Sequence, residues 1–423
     1  MQRRTLLLLS LLAYFISFSQ ITQPVQPASG PGGSNYTYGG VTQYDYGTLK
    51  NGDGFWLYEP SSPIPDSANV IVFCHGLNET NPMYYGAFIT HLVRKGNIVI
   101  YPRYQKNEFS SATTFTDSCA KGIQRALDTL QLPGHVKPRL YNYFVLGHSV
   151  GGILTANIAA KYSYYNLPKP LTAFSIEPGA TFFESQLMLS DYSIFSSDIK
   201  YLVAIGNDDA IVGTTVGTQL YNQTTSVPTS HKNLVKLYAD NYGTPAITAS
   251  HTEPIGYDSV YNNGETNTFI QLSAGVIDAV DFYCYWKLQD ALMDCALNNQ
   301  NCDVAFGDTP QQRYMGQWSD GTPVRELEIT PSANTGINNV PSSTRITISP
   351  NPSNTNWQLS IDNYNGNINL QYCLYDITGR VLKNQSITEN VSTIENVFGE
   401  GIYFYQIKNN NGELIATGKL IAQ

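Results

Sequence analysis

The chain has 423 residues, enough for two or three domains at about 100–200 residues each, and 42% of it is apolar, which excludes a disordered chain. Lys and Arg number 24 against 33 Asp and Glu, for a net charge of −9, and no basic stripe occurs. Binding along a phosphate backbone needs such a stripe to release counterions, so a nucleic-acid partner is excluded. The six Cys are scattered and none forms a C-x-x-C pair, which excludes a zinc ribbon, a dithiol redox site and a disulfide-built scaffold.

The N-terminus has the three parts of a secretory signal. Arg3 and Arg4 supply positive charge, Thr5 to Ile16 an apolar run, and Ser17-Phe18-Ser19 the small residues before a cut, so residues 1–19 are expected to be a signal peptide. No later stretch is apolar for the length of a bilayer span, so no transmembrane helix is expected in the mature protein. Residues 20–40, rich in Pro, Gly and Ser, read as an extended leader. From 41 to 330 short apolar runs alternate with amphipathic segments. Strands are expected at Asn69–Cys74, Asn97–Tyr101, Tyr143–Leu146, Leu171–Ile176, Tyr201–Ile205 and Leu234–Tyr238, and helices near 83–95, 114–131, 150–162 and 214–222. That alternation predicts an α/β fold, a doubly wound and mainly parallel sheet covered on both faces. Residues 331–343 have the composition of a linker. From 344 to 423 the apolar period becomes two, at Ile346/Ile348, Trp357/Leu359/Ile361, Tyr372/Leu374 and Ile402/Phe404, which predicts a small antiparallel β-sandwich.

The segment Gly147-His148-Ser149-Val150-Gly151 joins an apolar strand to a helix through G-x-S-x-G. A serine hydroxyl becomes a nucleophile when a sharp turn presents it to a base, and the flanking glycines remove side chains that would collide across that turn. Functional groups gather at the carboxyl ends of the strands in such sheets. Among the six His, His251 lies in the loop leaving the strand near 234–238, whereas His231 precedes that strand and falls at the opposite edge. His91 lies within a helix and His135 in a Pro/Gly loop, so both read as structural; His251 is the candidate base. The strand at Tyr201–Ile205 ends in Asp208 and Asp209, either of which can orient the imidazole and stabilise its cation.

These residues resemble the α/β-hydrolase family, in the chain order Ser, Asp, His. The family's acid commonly lies in G-x-x-D-x-x-V, which Gly206, Asp209 and Val212 match, favouring Asp209. His75-Gly76-Leu77 is similar to the His-Gly-x turn of lipases and esterases, and the resemblance implies that the backbone N–H groups of Leu77 and Val150 form the oxyanion hole. The segment around Ser149 and the long Asp–His loop are more similar to the dienelactone-hydrolase and chlorophyllase-like branch, which includes polyester hydrolases. Towards the C-terminus, Ile348-Ser-Pro-Asn-Pro352, Leu374-Tyr-Asp-Ile-Thr-Gly-Arg380, Gly401-Ile-Tyr-Phe404 and Gly418-Lys-Leu-Ile421 resemble the type IX secretion sorting domain of Gram-negative bacteria. That implies recognition by the outer-membrane export machinery, passage through the periplasm, and a secreted or surface-attached product.

The expected function is a secreted serine hydrolase that cleaves carboxylic esters through an acyl-enzyme, without a cofactor or metal. Two alternatives stand beside it: a serine peptidase or amidase of the same fold, and a non-catalytic surface-binding protein whose elbow is idle. A sugar-binding role for the sandwich, with Trp357 stacking on the ligand, is the alternative for the C-terminal module. Tyr84, Tyr85, Tyr104 and Glu177 are candidates for lining the substrate pocket. Cys295 and Cys302, in an exported chain, are a candidate disulfide, and Cys74 and Cys119 read as small buried hydrophobes.

Overall fold

The computed structural model describes residues 20–331 apart from 49 and 266–275, and residues 346–423 apart from 362–369 and 410–413. The expected signal peptide and nearly all of the expected linker lie outside the described residues. Contacts divide the chain between Pro331 and Ser332 into two compact units.

The first unit is built on one nine-stranded sheet. Its strands are β1 (Gly40–Asp45), β2 (Phe55–Ser61), β3 (Ser67–Cys74), β4 (Asn97–Pro102), β5 (Lys137–His148), β6 (Thr172–Ile176), β7 (Lys200–Gly206), β8 (Lys232–Leu237) and β9 (Glu328–Thr330). They lie in the order β1-β2-β4-β3-β5-β6-β7-β8-β9. The six from β4 to β8 are parallel, and β1, β2 and β9 are antiparallel additions at the two edges. Around the sheet run α1 (Gly86–Arg94), α2 (Phe115–Thr129), α3 (Val150–Lys161), α4 (Glu184–Leu187), α5 (Thr215–Gln223), α6 (Trp286–Asn298), α7 (Cys302–Ala305) and α8 (Pro310–Arg313). This is the doubly wound α/β-hydrolase architecture.

Strands covered on both faces are apolar throughout because alternate side chains enter different layers. In β3, Val70, Val72 and Cys74 pack into one core with α2, α3 and α5, while Ile71 and Phe73 pack into the other with α1 and α6. Helix α3 is buried from Val150 to Ala160, so it carries no polar face and its register with the sheet is fixed on all sides. Ser149 is therefore delivered at a defined point. The leader segment has no regular structure but is bonded to this unit. Ile21 O accepts from Thr244 N–H at 2.8 Å, and Gly32 N–H donates to Asp290 at 2.9 Å. A disulfide joins Cys295 at the end of α6 to Cys302 at the start of α7. Cys74 and Cys119 are free and buried.

The second unit holds two antiparallel sheets. One is β10 (Ile346–Ser349), β11 (Trp357–Ile361) and β14 (Val391–Ile394); the other is β13 (Val381–Ile387), β12 (Leu370–Tyr375), β15 (Gly401–Asn409) and β16 (Leu414–Ala422). Trp357, Leu359, Tyr372 and Leu374 share one core, as the period of two predicts. One expectation fails. In β15 it is Tyr403 and Ile407 that point inward, while Ile402 and Phe404 are each 45% exposed. Both faces of that strand carry apolar side chains, so alternation cannot choose between them. The choice falls to Tyr403, whose ring packs at an angle to Trp357 and whose hydroxyl donates to Gly399 O. Trp357 itself is fully buried, which removes it as a sugar-stacking platform.

The turn from β5 to α3 is closely packed, and a Cβ on Gly151 would lie 2.0 Å from Cys74 O. Gly151→Ala is expected to cost about 3 kcal/mol or more, read as a lower melting temperature.

Candidate active site

The turn after β5 puts Ser149 at φ 58°, ψ −124°, a conformation that a residue with a side chain holds only under constraint. The constraint is visible in its bonds. Ser149 N–H donates to Ile176 O at 3.0 Å, and Ser149 O accepts from Gly152 N–H at 2.9 Å and Gly179 N–H at 3.2 Å. A Cβ on Gly147 would fall 2.6 Å from Cys74 O, and one on Gly152 2.9 Å from Pro178, so all three glycines of the elbow are there for close approach.

Ser149, Asp209 and His251 come together at the carboxyl edge of the sheet. His251 Nε2 lies 2.9 Å from Ser149 Oγ, and His251 Nδ1 lies 2.8 Å from Asp209 Oδ2. Asp209 Oδ1 accepts from the amides of Ile211 and Val212, both at 2.9 Å. Burial alone would raise the Asp209 carboxyl, but the hydrogen bond and charge of His251, with those two amides, outweigh it and hold the acid below its usual value. An ionised Asp209 accepts the Nδ1 proton, which leaves the Nε2 lone pair facing the Ser149 hydroxyl. The neighbouring Asp208 is exposed, and its carboxylate accepts from the Asn207 side chain. His231 is half-buried at the other edge of the sheet, before β8, while His91 and His135 pair with Asp290 and Glu59.

The turn after β3 carries the other half of the site. Gly76 N–H donates to Glu79 at 3.0 Å and to the Tyr85 hydroxyl at 3.1 Å, and Asn78 N–H donates to Gln105 at 2.7 Å. Leu77 stands between them, beside Val150, whose N–H is the first of α3 and has no acceptor within its own helix. A cavity of about 160 Å3 opens over Ser149 and His251, bounded by Leu77 and Val150, by Ala180–Phe183 after β6, and by Ile211 and Val212 after Asp209. Phe182 is 84% exposed at its rim.

Tyr84, Tyr85, Tyr104 and Glu177 do not line this cavity. The hydroxyls of Tyr85 and Tyr104 are spent inward. The Tyr104 hydroxyl donates to His75 O at 2.7 Å and its ring stacks on the His75 ring, so it braces the turn from below. Tyr85 donates to Glu79 and contacts His148 Nδ1 at 2.7 Å. Glu79, absent from the sequence reading, is buried beneath the turn. Burial pushes its carboxyl up, but His148 and the Tyr85 hydroxyl prevail and lower it. Among the lining residues that sequence reasoning missed are Phe182 and Phe183, whose signal is an aromatic pair shortly after Glu177-Pro178-Gly179 at a strand end. Among the described residues one group has metal-ligand composition. His148 Nε2, Glu177 Oε2 and His251 Nδ1 lie within 4.8 Å of one another, but the last is already bonded to Asp209.

Residues 62–234 match the family model described as Chlorophyllase. The chain carries a chlorophyllase-family domain. The matched span takes in Ser149 and Asp209 and ends before His251, so the chlorophyllase-family domain is continued by the loop that supplies the imidazole. Residues 347–423 match the Secretion system C-terminal sorting domain, which marks the chain for handling by the type IX secretion machinery as a secreted or surface protein. A chlorophyllase-family domain with that tail is an exported hydrolase. No helix of the described residues is long and apolar enough to cross a membrane. Comparison with curated proteins gives no match.

The buried Tyr85 hydroxyl serves Gly76, Glu79 and His148 at once, so Tyr85→Phe is expected to destabilise the protein by about 1–3 kcal/mol. The lowered Glu79 contributes stability above the ordinary carboxylate range that is lost as pH falls through its folded value. The gap between variant and wild type in denaturant unfolding is therefore expected to be widest at neutral pH and to narrow in acid.

Proposed function

We propose that the protein is a secreted serine hydrolase of carboxylic esters. In this reading residues 41–330 form the catalytic domain, preceded by a signal peptide at 1–19 and a leader at 20–40, and residues 344–423 are the sorting domain after a linker at 331–343. The observation that carries the proposal is the unbroken line from Asp209 Oδ2 through His251 to Ser149 Oγ, with contacts of 2.8 and 2.9 Å.

Ser149 Oγ attacks the ester carbonyl while its proton passes to His251 Nε2. Asp209 holds the ring in the tautomer that can accept and stabilises the imidazolium. The N–H groups of Leu77 and Val150 meet the oxyanion as its charge develops; one such donor is typically worth about 10²–10³ in rate. His251 returns the proton to the leaving alcohol, and water then repeats the sequence to release the acid. The cavity wall is mostly apolar, through Leu77, Val150, Phe182, Phe183, Ile211 and Val212, which favours the acyl part of an ester.

Kinetics on the two acids test the assignment. Asp209→Asn is expected to lower kcat by about 10⁴, the size of that change in other Ser-His-Asp centres, and Ser149→Ala to abolish ester cleavage above background. Asp208→Asn should stay within about threefold of wild type, as expected of a solvated side chain that touches no reacting group. Equal losses at 208 and 209 would contradict the reading. A cavity of about 160 Å3 is close to the roughly 150 Å3 that houses one benzene. A p-nitrophenyl ester series is therefore expected to show kcat/KM for acetate or butyrate about tenfold or more above dodecanoate.

A further inference from the structure

Two buried polar atoms behind the site lack hydrogen-bond partners, His148 Nε2 and Glu177 Oε2, and they lie 3.9 Å apart. Glu177 has no exposed surface and sits at φ 43° on the turn that ends β6. Its Oε1 accepts from the Tyr285 hydroxyl at 2.8 Å. Tyr285 is brought there by a π-helical turn, Asp281–Tyr285, that leads into α6; such one-turn distortions persist where they place a side chain. Its Oε2 faces His251 Nδ1 at 3.6 Å as well as His148. The other titratable groups around it are Asp209 from the turn after β7, Glu253 from the His251 loop and Cys284 from the π-helical turn. Both ion-pair neighbours of this carboxyl are imidazoles. Burial first, and the charge of Asp209 second, push its pKa well above the usual carboxylate range, so the acid is neutral at moderate pH.

The hydrogen-bond directions agree. The Tyr85 proton goes to Glu79, so His148 Nδ1–H donates to the Tyr85 oxygen and the His148 Nε2 lone pair is turned toward Glu177. A protonated Glu177 presents an O–H to that lone pair and leaves Asp209 as the only charged acceptor for His251.

We propose that Glu177 is a positioning residue for His251: protonated, it braces the imidazole against Asp209 through His148 and Tyr285, and ionised, it competes with Asp209 for the Nδ1 proton and turns Nε2 away from Ser149. On ionisation its O–H breaks and the proton passes to bulk hydroxide. Activity then falls as pH rises through the Glu177 transition. The proposal rests on the Ser149–His251–Asp209 reading above.

The test is kcat/KM of the full chain for p-nitrophenyl butyrate from pH 5 to 10, corrected for spontaneous hydrolysis, in wild type, Glu177→Gln and Tyr285→Phe. Gln keeps an acceptor for Tyr285 and an N–H for His148 at every pH, so the descending alkaline limb is expected to vanish. Phe at 285 removes a hydrogen bond that favours the carboxylate, so the limb is expected to move up by about one pH unit. A wild-type plateau that persists to pH 10, or a limb that is the same in all three proteins, overturns the proposal. If circular dichroism shows that the Gln variant does not fold, the Tyr285→Phe displacement decides alone. Hydrolysis that survives Ser149→Ala refutes the nucleophile assignment instead, whereas Ser149-dependent activity with a Glu177-independent limb refutes only this inference.

Discussion

The arrangement depends on one backbone contact, the approach of the β5–α3 turn to the end of β3. Cys74 O lies where a Cβ on Gly147 or Gly151 would be, and Ser149 occupies a left-handed backbone conformation in between. Strain of that kind costs of order 1–3 kcal/mol and survives only where the surroundings leave no alternative. Here they leave none, because α3 is buried along nearly its whole length and the turn is bonded on both sides, to Ile176 and to Gly179. The same closeness sets Leu77 beside Val150, so that one packing constraint positions both the hydroxyl and the amides across from it.

A second layer of buried polar groups supports the first. Glu79, Tyr85, His148, Glu177 and Tyr285 come from five separate segments and lie behind the oxyanion turn and the imidazole. The acids there differ in charge state, two lowered and one raised, for identifiable reasons. Glu79 is lowered by an imidazole and a tyrosine hydroxyl, Asp209 by His251 and two amides, and Glu177 is raised by burial and by the charge of Asp209. Three carboxyls within one small volume can be tolerated only if one of them gives up its charge.

What the sequence made legible was whatever has a local cause. The apolar runs of β3 to β8 reveal a sheet buried on both faces, and G-H-S-V-G marks a turn that needs glycine on each side. His251 is distinguishable from His231 because a loop that leaves a strand and one that enters it end at opposite edges of a parallel sheet. Asp209 is favoured over Asp208 only by the resemblance of Gly206, Asp209 and Val212 to a family motif; in the structure burial separates them, with Asp209 inside and Asp208 in solvent. The edge strands β1 and β9 escaped notice because half-buried or very short strands carry little periodic signal. Glu79 and the role of Glu177 escaped because their partners lie at 85, 148, 251 and 285, and no spacing along the chain encodes that meeting. In the sorting domain, Ile402 and Phe404 misled because Tyr403, between them, is apolar enough to take the inner face.

The claim at the centre is that Ser149 is the atom that attacks. Treating the full chain with a fluorophosphonate and locating the adduct by peptide mass spectrometry tests it most directly. A single phosphonyl group on Ser149, absent from His251→Ala, is the predicted result. An adduct on another residue, or an active hydrolase that takes up no phosphonyl group, would contradict it.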